Sequence, residues 1–320
     1  MNYSENRLVT VLMPCYNEPE CFFRAAIESV INQTYKNLEI LLILDNPQNE
    51  LLSRIAREYQ VKNKQIRLVI NDQNLKLTKT LNKGLKLASG DVIARFDADD
   101  IMLPNRIQKQ MQFVDQYDLI STNFAFINNN GYIIRHRIFP STTAEIYYFL
   151  CNNADCMYHT TWLGKKETFF KLNGYREIGP FEDYDFLLRA IKMGLKLFNC
   201  PEELNYYRIN TDGISYKNKI FQHLGSEYIR DNYTRINTIT KEEIISYLKS
   251  SVGKTHAKEY KNFCRVTTKL YSSKKITGYY FQLLIFGPYL ALFNYYGRKK
   301  ILNLLKRMMN TNMKKSKIIH

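Results

Sequence analysis

The stretch Val92-Ile93-Ala94-Arg95-Phe96-Asp97-Ala98-Asp99-Asp100 decides the reading of this chain. Its first half is a short apolar run of the kind that is buried on both faces of a sheet. Its second half puts three carboxylates into four residues directly after that run. Like charges so close repel, and keeping them together destabilises a fold unless a cation or a donor network neutralises them. A hard divalent cation with oxygen ligands fits, either Mg2+ or Mn2+, and both keep open positions for phosphate oxygens. The bland alternative is an acidic cap on the helix that Pro104 opens, but a cap needs one acid rather than three.

Outward from this stretch the pattern repeats. Leu8–Met13, Leu38–Leu44, Ile66–Ile70 and Leu119–Thr122 read as further buried strands. Phe22–Ile31, Glu50–Tyr59, Thr78–Ala88 and Pro104–Val114 carry apolar residues at helical spacing. Strands alternating with helices predict βαβ units and a parallel sheet. Ligands of such sheets sit at the carboxyl ends of the strands. The polar clusters fall there: Tyr16-Asn17-Glu18 after the first strand, Asp45-Asn46 after the second and the acids after the fourth. Farther on, Phe124–Phe139 alternates around Asn128-Asn129-Asn130-Gly131 and predicts a hairpin. Glu182–Met193 reads as a helix that opens on three acids, and Lys196–Asn199 and Leu204–Ile209 as two short strands. After Ser215 helices take over.

Composition excludes some classes. Hydrophobic residues make up 45% of the 320, as in a globular chain. The net charge is +16, yet residues 251–320 hold 15 of the 46 Lys and Arg and one of the 30 acids. The remainder is nearly neutral, which argues against an evenly basic nucleic-acid-binding body. The six cysteines include no C-x2-C pair, so no structural zinc is expected, and reduced thiols suit the cytosol. No apolar signal segment opens the sequence. Neither G-x-x-x-x-G-K-[ST] nor G-x-G-x-x-G occurs.

The other clusters have two readings each. Acids at 182, 183 and 185 are stabilised by a helix N-terminus, or one of them deprotonates a hydroxyl as general base, and the residues alone balance the two. Asp45 caps a turn or accepts an N–H from a bound base; the turn is slightly favoured. Tyr16 is a stacking face or an ordinary half-buried tyrosine. Together they describe a nucleoside-diphosphate pocket.

In order along the chain, VTVLMPCYNE (9–18), SVINQTY (29–35), EILLILD (39–45), LNKGLKLASGD (81–91), RFDADD (95–100), PNRI (104–107), GYRE (174–177), EDYDFLLR (182–189) and Tyr207-Arg208 resemble the family 2 glycosyltransferases of bacterial surface-polysaccharide type. The resemblance spans about residues 7–216. It implies an α/β GT-A fold, with two abutting Rossmann-like halves on a mostly parallel central sheet and a helical C-terminal tail. It implies inverting transfer of a hexosyl or N-acetylhexosaminyl group from a nucleotide sugar, a UDP-sugar favoured, to an acceptor hydroxyl. Tyr16 and Asp45 match the positions that hold the base, and Pro14, Glu18 and Asp97 are further nucleotide-side candidates. Lys76 lies where a basic nucleotide contact can occur, with a solvated helix-face lysine at least as common a reading. Asp97 and Asp99 match the D-x-D motif that meets Mn2+ or Mg2+, and Asp183 matches the catalytic base with Glu182 beside it. His159 and Trp162, within a segment (125–175) expected to shape the acceptor side, and Asp185 beyond it are weak acceptor-side candidates; a tryptophan is just as often core, and a lone histidine more often satisfied structure. The chain departs from the family where Leu44 replaces an acid, Asn46-Pro47 a Gly-Ser, and Asn210 a frequent His.

The expected organisation is a catalytic domain over 1–216, divided at residue 100 into nucleotide and acceptor halves. A helical extension (217–272) and a basic, aromatic membrane-associating tail (273–320) follow. Residues 276–297 carry no charge but contain Gly287-Pro288 and five tyrosines, with lysines and arginines on both sides. Positive charge at both ends opposes a span and suits a segment lying in the interface. A tail packed on the catalytic body is the alternative. The expected place is therefore the inner face of the plasma membrane, with a lipid-linked or oligosaccharide acceptor and no nucleic acid. A nucleotidyltransferase and a non-catalytic binding protein are the competing readings. The first would not need a base at Asp183, and the second would not need Asp99.

Overall fold

The computed structural model describes residues 7–152, 156–209 and 219–271. They fall into two compact units, one within Met1–Lys217 and Ile229–Ile239, the other within Asn218–Tyr228 and Thr240–His320. The charge-free segment 276–297 and Asn210 lie outside the described residues.

The first unit carries a nine-stranded sheet. Strands β1 (Val9–Cys15), β2 (Leu38–Leu44), β3 (Ile66–Ile70) and β4 (Val92–Arg95) pair in parallel, in the order β3-β2-β1-β4. The connections are α1 (Glu20–Ile31), α2 (Glu50–Lys62) and α3 (Lys76–Leu87). Every residue of β1 is buried, as expected for a parallel strand covered on both faces. Fully burying one of its Val or Leu side chains contributes about 1.5–3 kcal/mol. Helix α3 comes so close that a Cβ on Gly84 would meet Leu12 Cδ1 at 2.2 Å. Asn49 starts α2 by accepting from the Leu52 amide at 3.0 Å.

Beyond β4 the sheet changes character. A two-residue β5 (Ile101–Met102) and α4 (Arg106–Met111) lead to β6 (Leu119–Ile127), β7 (Ile133–Arg137) and α5 (Thr143–Asn152). Then come a 3-10 turn (His159–Thr161), β8 (Leu163–Lys165), α6 (Lys166–Lys171), α7 (Glu182–Lys192) and β9 (Leu197–Arg208). The order continues β4-β8-β6-β9-β5, and β7 pairs off this path with Phe124–Ile127 of β6, beyond the two residues that meet β8. Strand β8 runs antiparallel to both β4 and β6 and joins the two halves into one sheet. It is three residues long and opens with Leu163-Gly164, which gives periodicity nothing to detect. A Cβ at Gly164 would lie 2.7 Å from Asp118 O, so the close approach of β8 requires glycine.

The hairpin falls where the sequence predicts it, with Asn128 Oδ1 accepting from the amides of Asn130 and Tyr132 and Gly131 at φ 82°. The two short strands expected after α7 are one continuous β9. Pro201 suggests a break because it cannot donate to a ladder. The register against β6 shifts there instead, and the Asn123 side chain bridges the irregularity by donating to Pro201 O at 2.6 Å.

Within the second unit, α9 (Lys241–Lys249) begins with a capping box between Thr240 and Glu243, and α10 (Ser251–Tyr271) follows. The helix α8 (Lys219–Asp231) has residues in both units. Its Tyr228 ring lies 4.7 Å from that of Tyr247. No helix among the described residues is long and apolar enough to cross a membrane.

Candidate active site

The polar residues that follow β1, β2 and β4 gather at the carboxyl edge of the parallel strands. Tyr16 is 44% exposed, and its amide donates to Glu18 Oε2 at 2.8 Å. Pro14 is buried within β1, opposite Ile43. Asp45 is 5% exposed. Its Oδ1 accepts from Asn71 Nδ2 at 2.7 Å and from the Leu75 amide at 2.8 Å, and neither bond uses Oδ2. Lys83 completes this group by donating to Asn71 Oδ1 at 2.7 Å. Asn71 and Lys83 were not singled out from the sequence, since an asparagine after a strand and a helix-face lysine are common. Asn46 and Asn49, in and after the departure at 46–47, both donate to Asn17 Oδ1, at 2.7 and 3.0 Å. They lock the β1 loop to the β2 loop. Lys76 is exposed at the start of α3 and holds φ at 70°, a left-handed conformation that disfavours lysine.

The three acids after β4 have different fates. Asp100 is fully buried and accepts from Thr160 Oγ1 and the Arg208 amide, both at 2.9 Å. Asp97 is partly exposed, pairs with the buried guanidinium of Arg95 and donates from its amide to Thr160 Oγ1 at 3.0 Å. Asp99 has its main-chain carbonyl held by Arg208 Nε at 2.9 Å, while its carboxylate makes no ion pair among the described residues. Burial first and the neighbouring Asp97 second push the Asp99 carboxyl up to about 6. Burial also raises Glu18 to about 7, with Asp99 and Asp97 adding to the push.

These shifts test the expectation of a cation. Glu18, Asp97 and Asp99 crowd negative charge that Arg95 and Arg208 only partly offset, and their oxygens are the donors that Mg2+ or Mn2+ prefers. The residues fit such an ion through two carboxylates. No cluster of three or more His, Cys, Asp or Glu side chains stands ready for a metal among the described residues. Further ligands would have to come from the donor's phosphates or from water.

Helix α7 brings in the second acidic group. Its first turn holds Glu182, Asp183 and Asp185. Asp183 is half-buried and accepts from the Tyr184 amide at 2.6 Å. Glu182 is buried, and desolvation, followed by the charge of Asp183, raises its carboxyl to about 8. Asp97 also contributes to that shift, so the α7 acids lie within electrostatic range of the β4 acids.

Three acceptor-side expectations need correction. Asp185 is fully buried between Arg176 and Arg189, with Nε distances of 3.1 and 2.7 Å. Trp162 is also fully buried, its ring 5.4 Å from that of Phe186. His159 is 9% exposed and bonds Tyr175 Oη through Nε2 at 2.9 Å; burial holds its pKa well below the usual value. An acceptor cannot touch Asp185 or Trp162, and His159 is a neutral ring whose Nε2 is bonded from within. The sequence carries apolar spacing around Trp162 but no sign of which side chains the sheet encloses.

The site also depends on residues far away in sequence. Thr160, in the 3-10 turn before β8, links the Asp97 amide to the Asp100 carboxylate. Arg106, from PNRI, is fully buried and donates to Arg95 O at 2.9 Å and Asn205 Oδ1 at 3.1 Å. Burial lowers its guanidinium to about 9.

The chain is similar to known proteins. The family model described as Glycosyl transferase family 2 matches residues 10–172. An uncharacterised glycosyltransferase of Methanocaldococcus jannaschii is 33% identical over 263 residues, 80% of this chain and 82% of the relative. An O-antigen biosynthesis glycosyltransferase of Escherichia coli is 26% identical, covering 73% of this chain and 91% of that one. An amylovoran biosynthesis glycosyltransferase of Erwinia amylovora is 27% identical, covering 69% and 83%. Among solved structures, TarS residues 1–349 of S. aureus, in complex with UDP, superposes with a TM-score of 0.53 at 15% identity, over 77% of this chain and 72% of that one. That likeness concerns the fold, which is the GT-A arrangement. The chain belongs to glycosyltransferase family 2.

Proposed function

We propose that this protein transfers a sugar from a nucleoside-diphosphate donor, a UDP-sugar favoured, to a hydroxyl of a lipid-linked glycan during assembly of a cell-surface polysaccharide. One observation carries the reading. Asp97 lies close enough to Glu18, Asp99 and Glu182, which stand after β1, after β4 and at the start of α7, that its charge adds to the desolvation that raises all three carboxyls. The O-antigen and amylovoran relatives support the polysaccharide, and the UDP of the TarS complex supports the nucleotide.

In this reading Tyr16 stacks on the base, and Asp45 accepts one of its N–H groups, braced by Asn71. Pro14 shapes the β1 end beneath them, Glu18 fixes the loop, and Lys76 approaches the phosphates. Asp97 and Asp99 hold Mn2+ or Mg2+, which when bound offsets charge on the leaving diphosphate. Asp183 removes the acceptor proton as that oxygen attacks the anomeric carbon from the face opposite the diphosphate. The bond to the diphosphate breaks with its electron pair, and one displacement inverts the centre. Glu182, protonated near neutrality, adds no negative charge beside the incoming oxygen. Residues 1–216 act as the catalytic domain, with attachment at the inner leaflet through the part beyond residue 272.

A donor screen tests this. Purified protein is incubated with Mn2+ or Mg2+ and a panel of UDP-, GDP- and TDP-sugars, and free nucleoside diphosphate is read out. Release from one donor, abolished by Asp99→Ala, is the expected result. No release and no binding of any donor would overturn the reading.

A further inference from the structure

We propose that the β6–β7 hairpin, residues 128–138, docks the sheet-bearing unit onto an anionic lipid surface. Eleven large apolar side chains are exposed among the described residues, and four lie within seven consecutive positions here: Tyr132 (71%), Ile133 (47%), Ile134 (52%) and Ile138 (79%). Elsewhere exposed apolar residues are scattered, as on ordinary surfaces. Arg135 and Arg137 interleave with the isoleucines, and residues 128–138 contain no acid. Their guanidiniums rest on the rings of Phe126 at 4.1 Å and Phe139 at 5.2 Å. Neither has a carboxylate partner among the described residues. The nearby acid Glu203 is taken by His136 at 2.6 Å.

Apolar side chains beside unpaired cations, with a tyrosine, are what an interfacial element presents to acidic headgroups. A second copy of the chain suits this edge less well. Pairing β7 with another β7 would bring arginines together, and the bulge at Phe126/Ile127 twists the edge away.

The position of the hairpin gives docking a consequence. Arg208 Nη1 donates to Asn128 O at 3.0 Å and Asn129 O at 3.2 Å, while its Nε holds Asp99 O at 2.9 Å. One guanidinium thus ties the root of the hairpin to the D-x-D loop. A surface gripped by the hairpin lies beside the carboxyl edge of the sheet, where a lipid-linked acceptor would be presented. That last consequence rests on the proposed function; the docking itself does not.

The test is co-sedimentation of the full chain with vesicles of phosphatidylcholine alone or mixed with phosphatidylglycerol, without donor or metal. The expected result is binding to the anionic vesicles that weakens with salt. The pair Ile134→Asn with Ile138→Asn and the pair Arg135→Gln with Arg137→Gln should each weaken it about tenfold, at an unchanged melting temperature. Wild-type binding by both variant pairs would assign the contact to another part of the chain and overturn the proposal. Equal binding to neutral vesicles overturns it too. So does a dimer in sedimentation equilibrium that the variants dissolve, which would make the occupant a second copy. Donor turnover is read separately. Binding without turnover would count against the donor reading alone, and turnover without binding against the hairpin alone.

Discussion

Two acidic clusters, one after β4 and one at the start of α7, lie within electrostatic range of each other, and the molecule neutralises them differently. In the α7 cluster, Asp185 is enclosed and saturated. Arg176 and Arg189 both bind it, Arg176 also donates to the carbonyls of Ile236, Asn237 and Ile239, and Arg189 donates to those of Leu172 and Gly174. In the β4 cluster, Asp100 is satisfied mainly by neutral donors, Asp97 has one guanidinium, and the Asp99 carboxylate has none. Three residues before Asp185, Glu182 is buried without an ion pair among the described residues and holds its proton to about 8. The difference separates two uses of one side chain. A carboxylate that holds the fold is given as many donors as it can take. Those left short of positive charge have room for a cation or a substrate proton.

The sharpest way to break this contrast is to remove charge from each kind of acid. Asp183→Asn should reduce transfer by about 10²–10⁴-fold while leaving donor affinity intact, as measured by steady-state turnover beside calorimetric donor binding. A fully active variant would remove the base from α7. Asp185→Asn should act on stability instead, because it strands two guanidiniums. A loss of about 3–5 kcal/mol in denaturant unfolding is expected, and an unchanged midpoint would show that the two acids are not divided as argued. Asp45→Asn is a smaller perturbation. It should weaken donor binding about tenfold, the worth of one hydrogen bond to a charged group, with kcat nearly unchanged.

A pH dependence sharpens the comparison within α7. Glu182 titrates near 8 in the folded protein against 4.5 as a free side chain. The folded state therefore keeps a proton that the unfolded state has released, and stability falls as pH rises from about 4.5 through 8. Melting temperatures of wild type and Glu182→Gln, compared across that window, should diverge, with the wild type losing more at the alkaline end. Parallel curves would mean that Glu182 is ionised at neutral pH.

Much of the half built on β1 to β4 was legible in advance because the cues are local. Apolar runs ended by polar clusters predicted β1, β2 and β4 and where Tyr16, Asp45 and Asp97 would stand. The far half was legible only in part. Strand β8 is too short to show a period, and its pairing with β4 is decided 70 residues away. The continuity of β9 across Pro201 depends on an asparagine from β6. Trp162 and Asp185 looked like acceptor contacts because aromatic and acidic residues often are, and only packing showed both to be enclosed.

By itself the sequence determined the alternation of strands and helices, the family and the position of each acid relative to a strand end or a helix start. These follow from periodicity and covalent order, which act over a few residues. The tertiary structure alone decided which acids are saturated and which are left short of charge. That depends on desolvation and on guanidiniums delivered from distant segments: Arg176 and Arg189 to Asp185, and Arg95 to Asp97. Burial and electrostatic pairing are properties of the assembled volume, and no stretch of the chain carries them alone.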